Sequence, residues 1–473
     1  MSVVFHVPFV IRGEILHPSE LPRAATLQSE FFVTPDAASS VGKLTIAARD
    51  MTDLTALRLP DVIEYLHELS DRLRPAHNEY VREAYEASRR TSALPDATLR
   101  STYEQIPGMF NEEAVQRRAR ALLPVECLEE WVDLPPTGAS RHARVRAFGA
   151  RTVHIIAGNT PAIAAATILN NALTHGDALI KTSSNDLLSA VAIARTMIEM
   201  APDHPLTRHV SVAYWKGGDR RVEHVLYNAR HIDKIVAWGG VASIRHITRE
   251  LSPGVDLITL DPKYGVAILD GAALIACSDD EIADVASRLA LDIGTMSQEA
   301  CFNTRLVYVL GNGKREHNVA RRLGQLVYDA LQALPASASS GPRVFDPELK
   351  AELEALRLVD SDHLLIGARA NEGAIIVSTG GEPVEFAHHL SGRVANIITM
   401  PGIDGVLAAI GTSSQTVTVY PEALKRALRD TLACCGAQRI VPLGCATMDP
   451  QLAAPHDGME LLRRMCKWIV EEA

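Results

Sequence analysis

The hydrophobic positions between residues 152 and 238 form short apolar runs, each followed closely by a turn residue and a stretch compatible with a helix. The runs predict four strands, at residues 153–157, 178–181, 210–214 and 234–238. This alternation of strand and helix predicts a parallel sheet covered by helices. Such sheets bind ligands at the carboxyl ends of their strands, where helix amino termini attract anions.

A second region of the same α/β character starts near Lys263. Its apolar runs predict two strands, at residues 264–269 and 305–310. Ser278 begins a capping box that opens an amphipathic helix, and Gly294 ends that helix. Cys301 is therefore expected on a short polar loop between a buried helix and a core strand.

The two ends of the chain have a different pattern. Residues 1–130 are predicted to be largely helical, because apolar positions such as Val62, Leu66 and Leu69 recur at helical spacing. Residues 141–148 alternate in the manner of an exposed strand or arm. The C-terminal part contains His456 in a Pro-His-Asp-Gly segment, and an amphipathic helix is predicted to follow it.

The length, charge and composition of the chain indicate which general class of protein it is. The chain has 473 residues and a mass of 51.3 kDa, enough for two or three domains with large cores. Its net charge is −10 and its charges are interspersed, so no basic stripe is present to bind nucleic acid. Hydrophobic residues make up 47% of the chain and aromatic residues only 5%, a balance typical of an α/β enzyme.

The number and spacing of the cysteines, together with the hydropathy of the chain, predict where in the cell the protein is located. The seven cysteines are an odd number without CxxC or zinc-ligand spacing, which predicts reduced thiols, no metal and a cytoplasmic location. The paired histidines His388 and His389 have no third ligand at a suitable spacing. The N-terminal apolar run lacks the basic residues of a signal peptide. The apolar stretch at 161–169 is about half the roughly 18 residues that a spanning helix needs, so no membrane span is predicted.

Four short motifs follow one another in a recognisable order, whereas GxGxxG, GxxxxGK[ST], HExxH and GxSxG are absent. The motifs are Ala157-Gly158-Asn159-Thr160-Pro161, Lys181-Thr182-Ser183-Ser184, residues 233–240 (DKIVAWGG) and Gln298-Glu299-Ala300-Cys301. In order and spacing this set, over roughly residues 145–470, resembles the aldehyde dehydrogenase superfamily. Within it, the segments VHIIAGNTPAIAAATILNNAL, ALIKTSSND and APHDGMELL resemble the LuxC-like long-chain acyl-CoA reductases.

The resemblance implies a fold and a domain plan. The fold is α/β and aldehyde-dehydrogenase-like, with two Rossmann-like parallel-sheet domains and an oligomerisation arm. We expect a cofactor domain at 1–262 with its arm near 135–150, a catalytic domain at 263–425, and a C-terminal return or oligomerisation segment at 426–473. The resemblance also implies a homo-oligomer.

The resemblance assigns the reacting groups. Cys301 corresponds to the nucleophile, although a cysteine is more often a small buried hydrophobe. Asn159 corresponds to the residue that donates its amide to the substrate oxyanion, whereas an Asn between a strand and a helix is often only an N-cap. The role of His456 does not follow from the resemblance, and we favour a structural turn over proton transfer.

A nicotinamide cofactor is also implied. The resemblance places Lys181 at the adenosine ribose, where NAD-preferring relatives often have a Glu three residues later. Ser184 stands there instead and, with Ser183, leaves room for a 2′-phosphate, which predicts NADPH. Glycine-containing turns would let the cofactor's phosphates approach the backbone, and they comprise Gly217, Gly218, Trp238, Gly239 and Gly240.

One absence predicts the direction of the reaction. Aldehyde-oxidising relatives carry a Glu that activates water, and alignment on Lys263 puts Thr259 in its place. We therefore expect reduction of a fatty acyl thioester to an aldehyde, with acyl-CoA, an acyl-carrier protein or an acyl-protein synthetase as donor. Two alternatives stay open: an oxidising dehydrogenase in which Glu299 or Asp261 replaces the Glu, and an idle scaffold subunit of an acyl-transfer complex.

Overall fold

The computed structural model describes residues 4–18, 32–135, 142–343, 345–359, 362–448 and 453–472. Its strands are β1 (Phe5–His6), β2 (Phe9–Ile11), β3 (Glu14–Leu16), β4 (Phe32–Val33), β5 (Val132–Asp133), β6 (Ala143–Phe148), β7 (Arg151–Ile155), β8 (Asp177–Lys181), β9 (Val210–Ala213), β10 (Lys234–Trp238), β11 (Asp256–Leu260), β12 (Tyr264–Asp270), β13 (Thr304–Leu310), β14 (His363–Gly367), β15 (Ala374–Ser378), β16 (Val394–Met400), β17 (Ser414–Tyr420), β18 (Arg439–Pro442) and β19 (Lys467–Glu472).

The α-helices cover these strands or connect them. They are α1 (Ala37–Leu44), α2 (Leu59–Arg72), α3 (Glu79–Thr91), α4 (Asp96–Met109), α5 (Glu112–Leu122), α6 (Val125–Glu129), α7 (Ala162–Leu173), α8 (Ser189–Met200), α9 (Pro205–Arg208), α10 (Arg220–Leu226), α11 (Val241–Glu250), α12 (Gly271–Ala276), α13 (Asp279–Gly294), α14 (Lys314–Ala333), α15 (Pro347–Val359), α16 (Ile403–Ala409), α17 (Glu422–Cys435) and α18 (Leu461–Met465). Among the described residues, no helix is long and apolar enough to cross a membrane.

The chain divides into two compact units. Unit 1 holds the described residues of Met1–Ser92, Thr102–Asp261 and Pro450–Ala473, and unit 2 holds those of Ala93–Ser101 and Pro262–Asp449. Residues 426–448 thus lie in unit 2 rather than in a separate C-terminal segment. The reason is that β18 pairs in parallel with β17 and extends the sheet of that unit.

The main sheet of unit 1 has the strand order β11-β10-β7-β8-β9-β2-β3. Strands β7 to β11 are parallel, and β2 joins β9 in the antiparallel direction. The four predicted strands are present within two residues of their expected bounds, because strands buried on both faces are continuous apolar runs. The largely helical expectation for residues 1–130 is wrong for β1 to β4, which are two or three residues long and too short for a periodic pattern.

A three-stranded antiparallel sheet, β19-β6-β5, completes unit 1. The exposed strand expected at 141–148 is present as β6, while residue 141 lies outside the described part. The predicted C-terminal helix is limited to the five residues of α18 and is otherwise wrong. The chain continues as β19, whose backbone pairs with β6 along six residues from Lys467 opposite Phe148.

Unit 2 contains a second sheet, in the order β14-β15-β16-β13-β12-β17-β18. All neighbours are parallel except β14, an antiparallel edge strand. Successive side chains of β12 enter two different cores, with Ala267 on one face and Val266 and Ile268 on the other. Both faces of the sheet are therefore covered by apolar side chains, as in a doubly wound α/β fold.

Candidate active site

Cys301 lies in unit 2 on the loop that joins α13 to β13, as the sequence predicts. The capping box of Ser278 and Glu281 is present at the start of α13, and the helix ends at Gly294. A short 3₁₀ turn follows at Thr295–Gln298. The Cys301 side chain is half-buried, so the thiol stays within reach of a substrate.

Buried amides hold this loop in a strained conformation. Met296, Ser297 and Gln298 have positive φ angles of 54°, 54° and 68°, which cost roughly 1–3 kcal/mol each for residues other than glycine. The Gln298 side chain donates to the carbonyl oxygens of Thr304 and Val394 at 3.1 and 2.9 Å, and accepts from the Val394 N–H at 2.9 Å. These bonds tie the loop to strands β13 and β16.

Asn303 anchors the loop on the other side of Cys301. Its side-chain oxygen accepts from the backbone N–H of Ala300 at 2.9 Å, and its amide donates to the carbonyl of Thr295 at 2.9 Å. Asn303 is fully buried, so water does not compete for these bonds. Cys301 is therefore held by a rigid support rather than by a free loop.

Two groups near the sulfur favour its thiolate. The side-chain amide of Gln415, buried on β17, donates to the Cys301 sulfur at 2.9 Å. The guanidinium of Arg305 interacts electrostatically with Cys301 and with Glu299, although burial lowers the Arg305 pKa from its usual range. A cation and a hydrogen-bond donor both stabilise a thiolate, which is the nucleophilic form of cysteine.

The sequence reasoning missed Gln415 and Arg305. A signal for Gln415 was present, since it is a large polar residue in the otherwise apolar and Thr-rich strand β17. Glu299, one of the two candidates for the missing water-activating Glu, lies near Arg305. Burial raises the pKa of Glu299, and the Arg305 charge opposes that increase.

The other cysteines differ from Cys301 in environment. Cys127 and Cys466 are buried, and burial raises the pKa of Cys127 and takes that of Cys466 to about 12. Both thiols therefore stay protonated at neutral pH and react slowly. Cys434 and Cys445 are exposed, so they are accessible comparison thiols for labelling experiments.

In unit 1, two of the predicted motifs meet at the carboxyl edge of the sheet. A Cβ atom added to Gly158 would lie 2.6 Å from the Ser183 hydroxyl and 3.0 Å from the Asn185 side chain, so only glycine fits there. Asn159 is half-buried in the same loop. The N-cap position of α7 is Pro161, two residues further on, which argues against Asn159 as the cap of that helix.

Lys181 ends β8 beside two aromatic rings. Its ammonium lies 5.8 Å from the centre of the Tyr214 ring and 5.6 Å from that of Trp215. Removal from water lowers the pKa of Lys181 to about 8, while the charge of Glu223 opposes the decrease. Ser183 is half-buried and Ser184 is exposed on the turn that follows. A cation and two hydroxyls are thus available to a phosphate at this edge.

The turn after β9 is held by a buried carboxylate that the sequence reasoning did not single out. Gly217 is exposed, and Gly218 has a positive φ of 87°. The Gly218 N–H donates to both oxygens of Glu223 at 3.1 Å, and the imidazole Nε2 of His246 lies 2.7 Å from Glu223 Oε2. Glu223 therefore joins the turn, α10 and α11 into one rigid wall.

The turn after β10 has open space at one of its two glycines. Gly240 is the N-cap of α11, and a Cβ there would meet nothing within 4 Å, whereas at Gly239 it would lie 3.3 Å from Ser243. The Trp238 ring lies 5.4 Å from that of His456. His456 itself belongs to a tight turn closed by paired backbone bonds to Met459, the structural role favoured from the sequence.

Thr259 lies on β11 near the same edge, and its hydroxyl donates to Asp261 at 3.4 Å. The paired histidines His388 and His389 stack with ring centres 4.0 Å apart. Across the described ranges, no group of three or more His, Cys, Asp and Glu side chains is arranged to hold a metal ion.

Comparison with solved structures defines the class of fold. A lactaldehyde dehydrogenase superposes with a TM-score of 0.75 at 13% identity, covering 100% of this chain and 99% of that one. The NADP complex of the NADP-dependent glyceraldehyde-3-phosphate dehydrogenase of Bacillus halodurans C-125 superposes with a TM-score of 0.72 at 16% identity, covering 99% of each chain. The fold is that of the aldehyde dehydrogenases, as expected from the sequence.

Sequence comparison defines the family. Residues 54–468 match the family described as acyl-CoA reductase (LuxC). The long-chain acyl-protein thioester reductase of Vibrio harveyi is 30% identical over 347 residues, which are 73% of this chain and 68% of that protein. The chain belongs to the LuxC family of acyl-CoA reductases. The expected class of reaction, reduction of an acyl thioester to an aldehyde, is thereby confirmed.

Proposed function

We propose that this protein reduces a long-chain acyl thioester with NADPH, through a thioacyl group carried on Cys301. The contact that supports this most directly is the 2.9 Å bond from the Gln415 amide to the Cys301 sulfur, beside the Arg305 cation. A buried structural cysteine needs neither group. A nucleophile that must be a thiolate at neutral pH benefits from both.

The chemistry at the sulfur has two stages. The Cys301 thiolate attacks the acyl carbonyl carbon, the bond from that carbon to the donor sulfur breaks, and the donor leaves as a thiolate that takes a proton. We propose that Asn159 stabilises the carbonyl oxygen, as the family resemblance implies. A bound nicotinamide cofactor supplies the hydride that brings the thioacyl group to the aldehyde level. Release of the aldehyde then returns Cys301 to its thiolate.

The carboxyl edge of the unit 1 sheet has residues that suit an NADP-type cofactor. Lys181 offers a cation, and Ser183 and Ser184 offer hydroxyls, where an acidic residue would repel a 2′-phosphate. Gly240 leaves the amino terminus of α11 open to a diphosphate. Gly217, in the turn after β9, is exposed as well. These residues would bind and orient the cofactor, with Trp238 and Gly239 shaping the turn.

The acyl donor we propose is acyl-CoA or an acylated protein, delivered by a carrier protein or an acyl-protein synthetase. The first is the substrate in the family's description, and the second is in the name of the Vibrio harveyi relative. We also propose that the protein is a cytoplasmic homo-oligomer. Rates of NADPH oxidation with tetradecanoyl-CoA and with tetradecanoyl-carrier protein would distinguish the donors.

Covalent labelling tests the proposal. Incubation with acyl-CoA and no cofactor is expected to add one acyl mass to the peptide that contains Cys301, and addition of NADPH is expected to remove it. Cys301→Ser is expected to stay unlabelled, whereas Cys434→Ser serves as the matched control because Cys434 is exposed. Stable label on Cys434 or Cys445 in place of Cys301 would disprove the assignment.

Oxidation of aldehyde to free acid is a second candidate, favoured by Glu299. This carboxyl group is two residues before Cys301, and its raised pKa makes it a better base than an ordinary Glu. Our proposal predicts instead that aldehyde and NADP⁺ react only when a thiol such as CoA accepts the acyl group. Acid production without a thiol, abolished in Glu299→Gln, would establish the second candidate. Thr259→Glu is expected to increase acid release.

A further inference from the structure

Unit 1 contains a cavity that none of the residues discussed so far explains. It has a volume of about 430 Å³, and the residues that define it are Met51, Leu128, Trp131, Phe148, His175 and Lys467. Phe148 and His175 precede β7 and β8 in the chain, so the cavity lies at the amino edge of the sheet. We call it the amino-edge cavity.

This location separates the amino-edge cavity from the candidate cofactor residues. Lys181 and Trp238 end β8 and β10, at the opposite edge of the same sheet. The strands between the two edges are five residues long, or roughly 16 Å at about 3.3 Å per residue. A ligand in the amino-edge cavity would therefore not occupy the cofactor site.

The walls of the cavity are mostly apolar. The rings of Trp131 and Phe148 meet edge to face with centres 6.0 Å apart, and Met51 and Leu128 are buried beside them. The volume is within the range of roughly 300–1,000 Å³ that is typical of small-molecule sites. At roughly 30 Å³ for each water-sized group, it holds about fourteen such groups.

Four polar residues line the cavity, Thr52, Thr55, His175 and Lys467, and of these His175 is the buried one. His175 is 6% exposed, and no hydrogen bond joins its ring to another of the described residues. Its φ is 51°, and a Cβ at Gly149 would lie 1.7 Å from its carbonyl oxygen, so close backbone packing fixes its position. Burial lowers the pKa of His175 to about 4, and the neutral imidazole offers one donor and one acceptor.

The charges near the cavity offset one another, since those of Glu129 and Arg146 act on His175 in opposite directions. Lys467 is the only charged side chain among the described residues that line it, and its ammonium lies 3.1 Å from Asp233. Arg151 also binds Asp233, and the two cations help to hold the pKa of that carboxyl at about 2. An anionic ligand would have to compete with Asp233 for Lys467. The cavity therefore favours a neutral ligand.

We propose that the amino-edge cavity binds one aliphatic alcohol or aldehyde of roughly ten to fourteen non-hydrogen atoms, with its oxygen hydrogen-bonded to His175. The chain of such a ligand is covered by the aromatic and aliphatic walls, and its oxygen pairs with a buried imidazole that otherwise has no partner among the described residues. An aliphatic aldehyde is also the product class of the proposed function, but binding of the alcohol does not depend on that function.

Calorimetric titration of the whole protein with 1-decanol tests the site. One alcohol is expected to bind per chain. Ala48→Trp, a substitution at an exposed lining residue, is expected to fill the mouth of the cavity and to weaken binding at least tenfold. Ala56→Trp is the matched control, because Ala56 is also exposed on a short 3₁₀ helix but does not line the cavity. Binding that is absent from the wild type, or unchanged in Ala48→Trp, would refute the proposal.

The polar contact has its own test. His175→Asn keeps a residue that tolerates a positive φ but shortens the side chain, and it is expected to weaken 1-decanol binding roughly threefold to tenfold. Decanoate is expected to bind the wild type more weakly than 1-decanol does, and equal binding would refute the charge argument. If no alcohol binds and Ala48→Trp instead dissociates an oligomer in sedimentation, the cavity is an interface and the ligand proposal is wrong.

Discussion

The contact between Gln415 and Cys301 makes a quantitative prediction about thiol reactivity. Replacing Gln415 with Leu removes a buried donor 2.9 Å from the sulfur and leaves Arg305 in place. Hydrogen bonds to a charged group contribute roughly 1.5–3 kcal/mol. Since about 1.36 kcal/mol corresponds to a factor of ten, the ratio of thiolate to thiol at a given pH is expected to fall roughly 10- to 150-fold. Gln415→Glu places a carboxylate opposite the thiolate and is expected to have the larger effect.

The assay is alkylation of Cys301 by iodoacetamide, followed by mass spectrometry of the peptide that contains it. The rate measures the thiolate directly and requires neither substrate nor cofactor. The exposed Cys434 provides an internal standard whose rate is expected to stay constant. Gln325→Leu is the matched control, because Gln325 is exposed on α14 and bonds only to Asp329 among the described residues.

The result that would refute this reasoning is an unchanged alkylation rate of Cys301 in Gln415→Leu with an unchanged melting temperature. The amide would then be a structural group that happens to lie near the sulfur. If Cys301 reactivity and melting temperature both decrease, a less stable fold would also explain the loss of reactivity. Gln415→Glu is therefore measured as well. Its nearly isosteric side chain is expected to lower reactivity further than Leu does.

Three other predictions concern the rest of the site. Because the Lys181 pKa is about 8 and only its cation attracts a 2′-phosphate, the KM for NADPH is expected to increase above pH 8 relative to that for NADH. Lys181→Met is expected to abolish this difference, and equal kcat/KM for the two cofactors in the wild type would contradict it. Asn159→Ala is expected to lower kcat roughly a hundredfold or more, whereas loss of a helix cap would cost about 1 kcal/mol of stability and spare kcat. Burial raises the pKa of Asp292 from 3.8 to about 6, so its stabilising contribution is full below about pH 4 and is lost as the pH rises through 6. In urea unfolding, the stability of the wild type relative to Asp292→Asn is expected to be roughly 2 kcal/mol greater at pH 4 than at pH 7, and an equal difference at both would contradict the burial argument.

The parts of the fold that sequence reasoning predicted are those with strong local patterns. Buried parallel strands such as β8 and β10 are continuous apolar runs, and α13 has a capping box at one end and a glycine at the other. The strands that it missed include the short strands β1 to β4, and also the interior strands β15, β16 and β17 of the second sheet. The residues of β19 can be read as helix or strand, and only their pairing with β6, more than 300 residues earlier in the chain, decides between the two.

The same limit applies to the site. Cys301 and Asn159 stand in recognisable motifs, whereas Gln415 is 114 residues from Cys301 and has no motif of its own. Glu223 looks like an ordinary helical Glu in the sequence, and its function as the acceptor of the Gly218 N–H appears only when the βα turn is folded. Local patterns therefore indicated the candidate reacting residues, and tertiary structure was needed to find the residues that contact and support them.

Gln298 and Gln415 both lie near Cys301, but their side chains bond to different parts of the protein. Gln298 belongs to the strained loop and bonds to the backbone of β13 and β16, so a substitution there is expected to disturb the sheet and the loop of Cys301 together. Gln415 lies on β17, whose backbone pairs with β12 and β18, and its side-chain amide donates to the Cys301 sulfur. Substitution of Gln298 is therefore expected to disturb the loop itself, whereas substitution of Gln415 removes a donor to the sulfur and leaves those loop bonds in place.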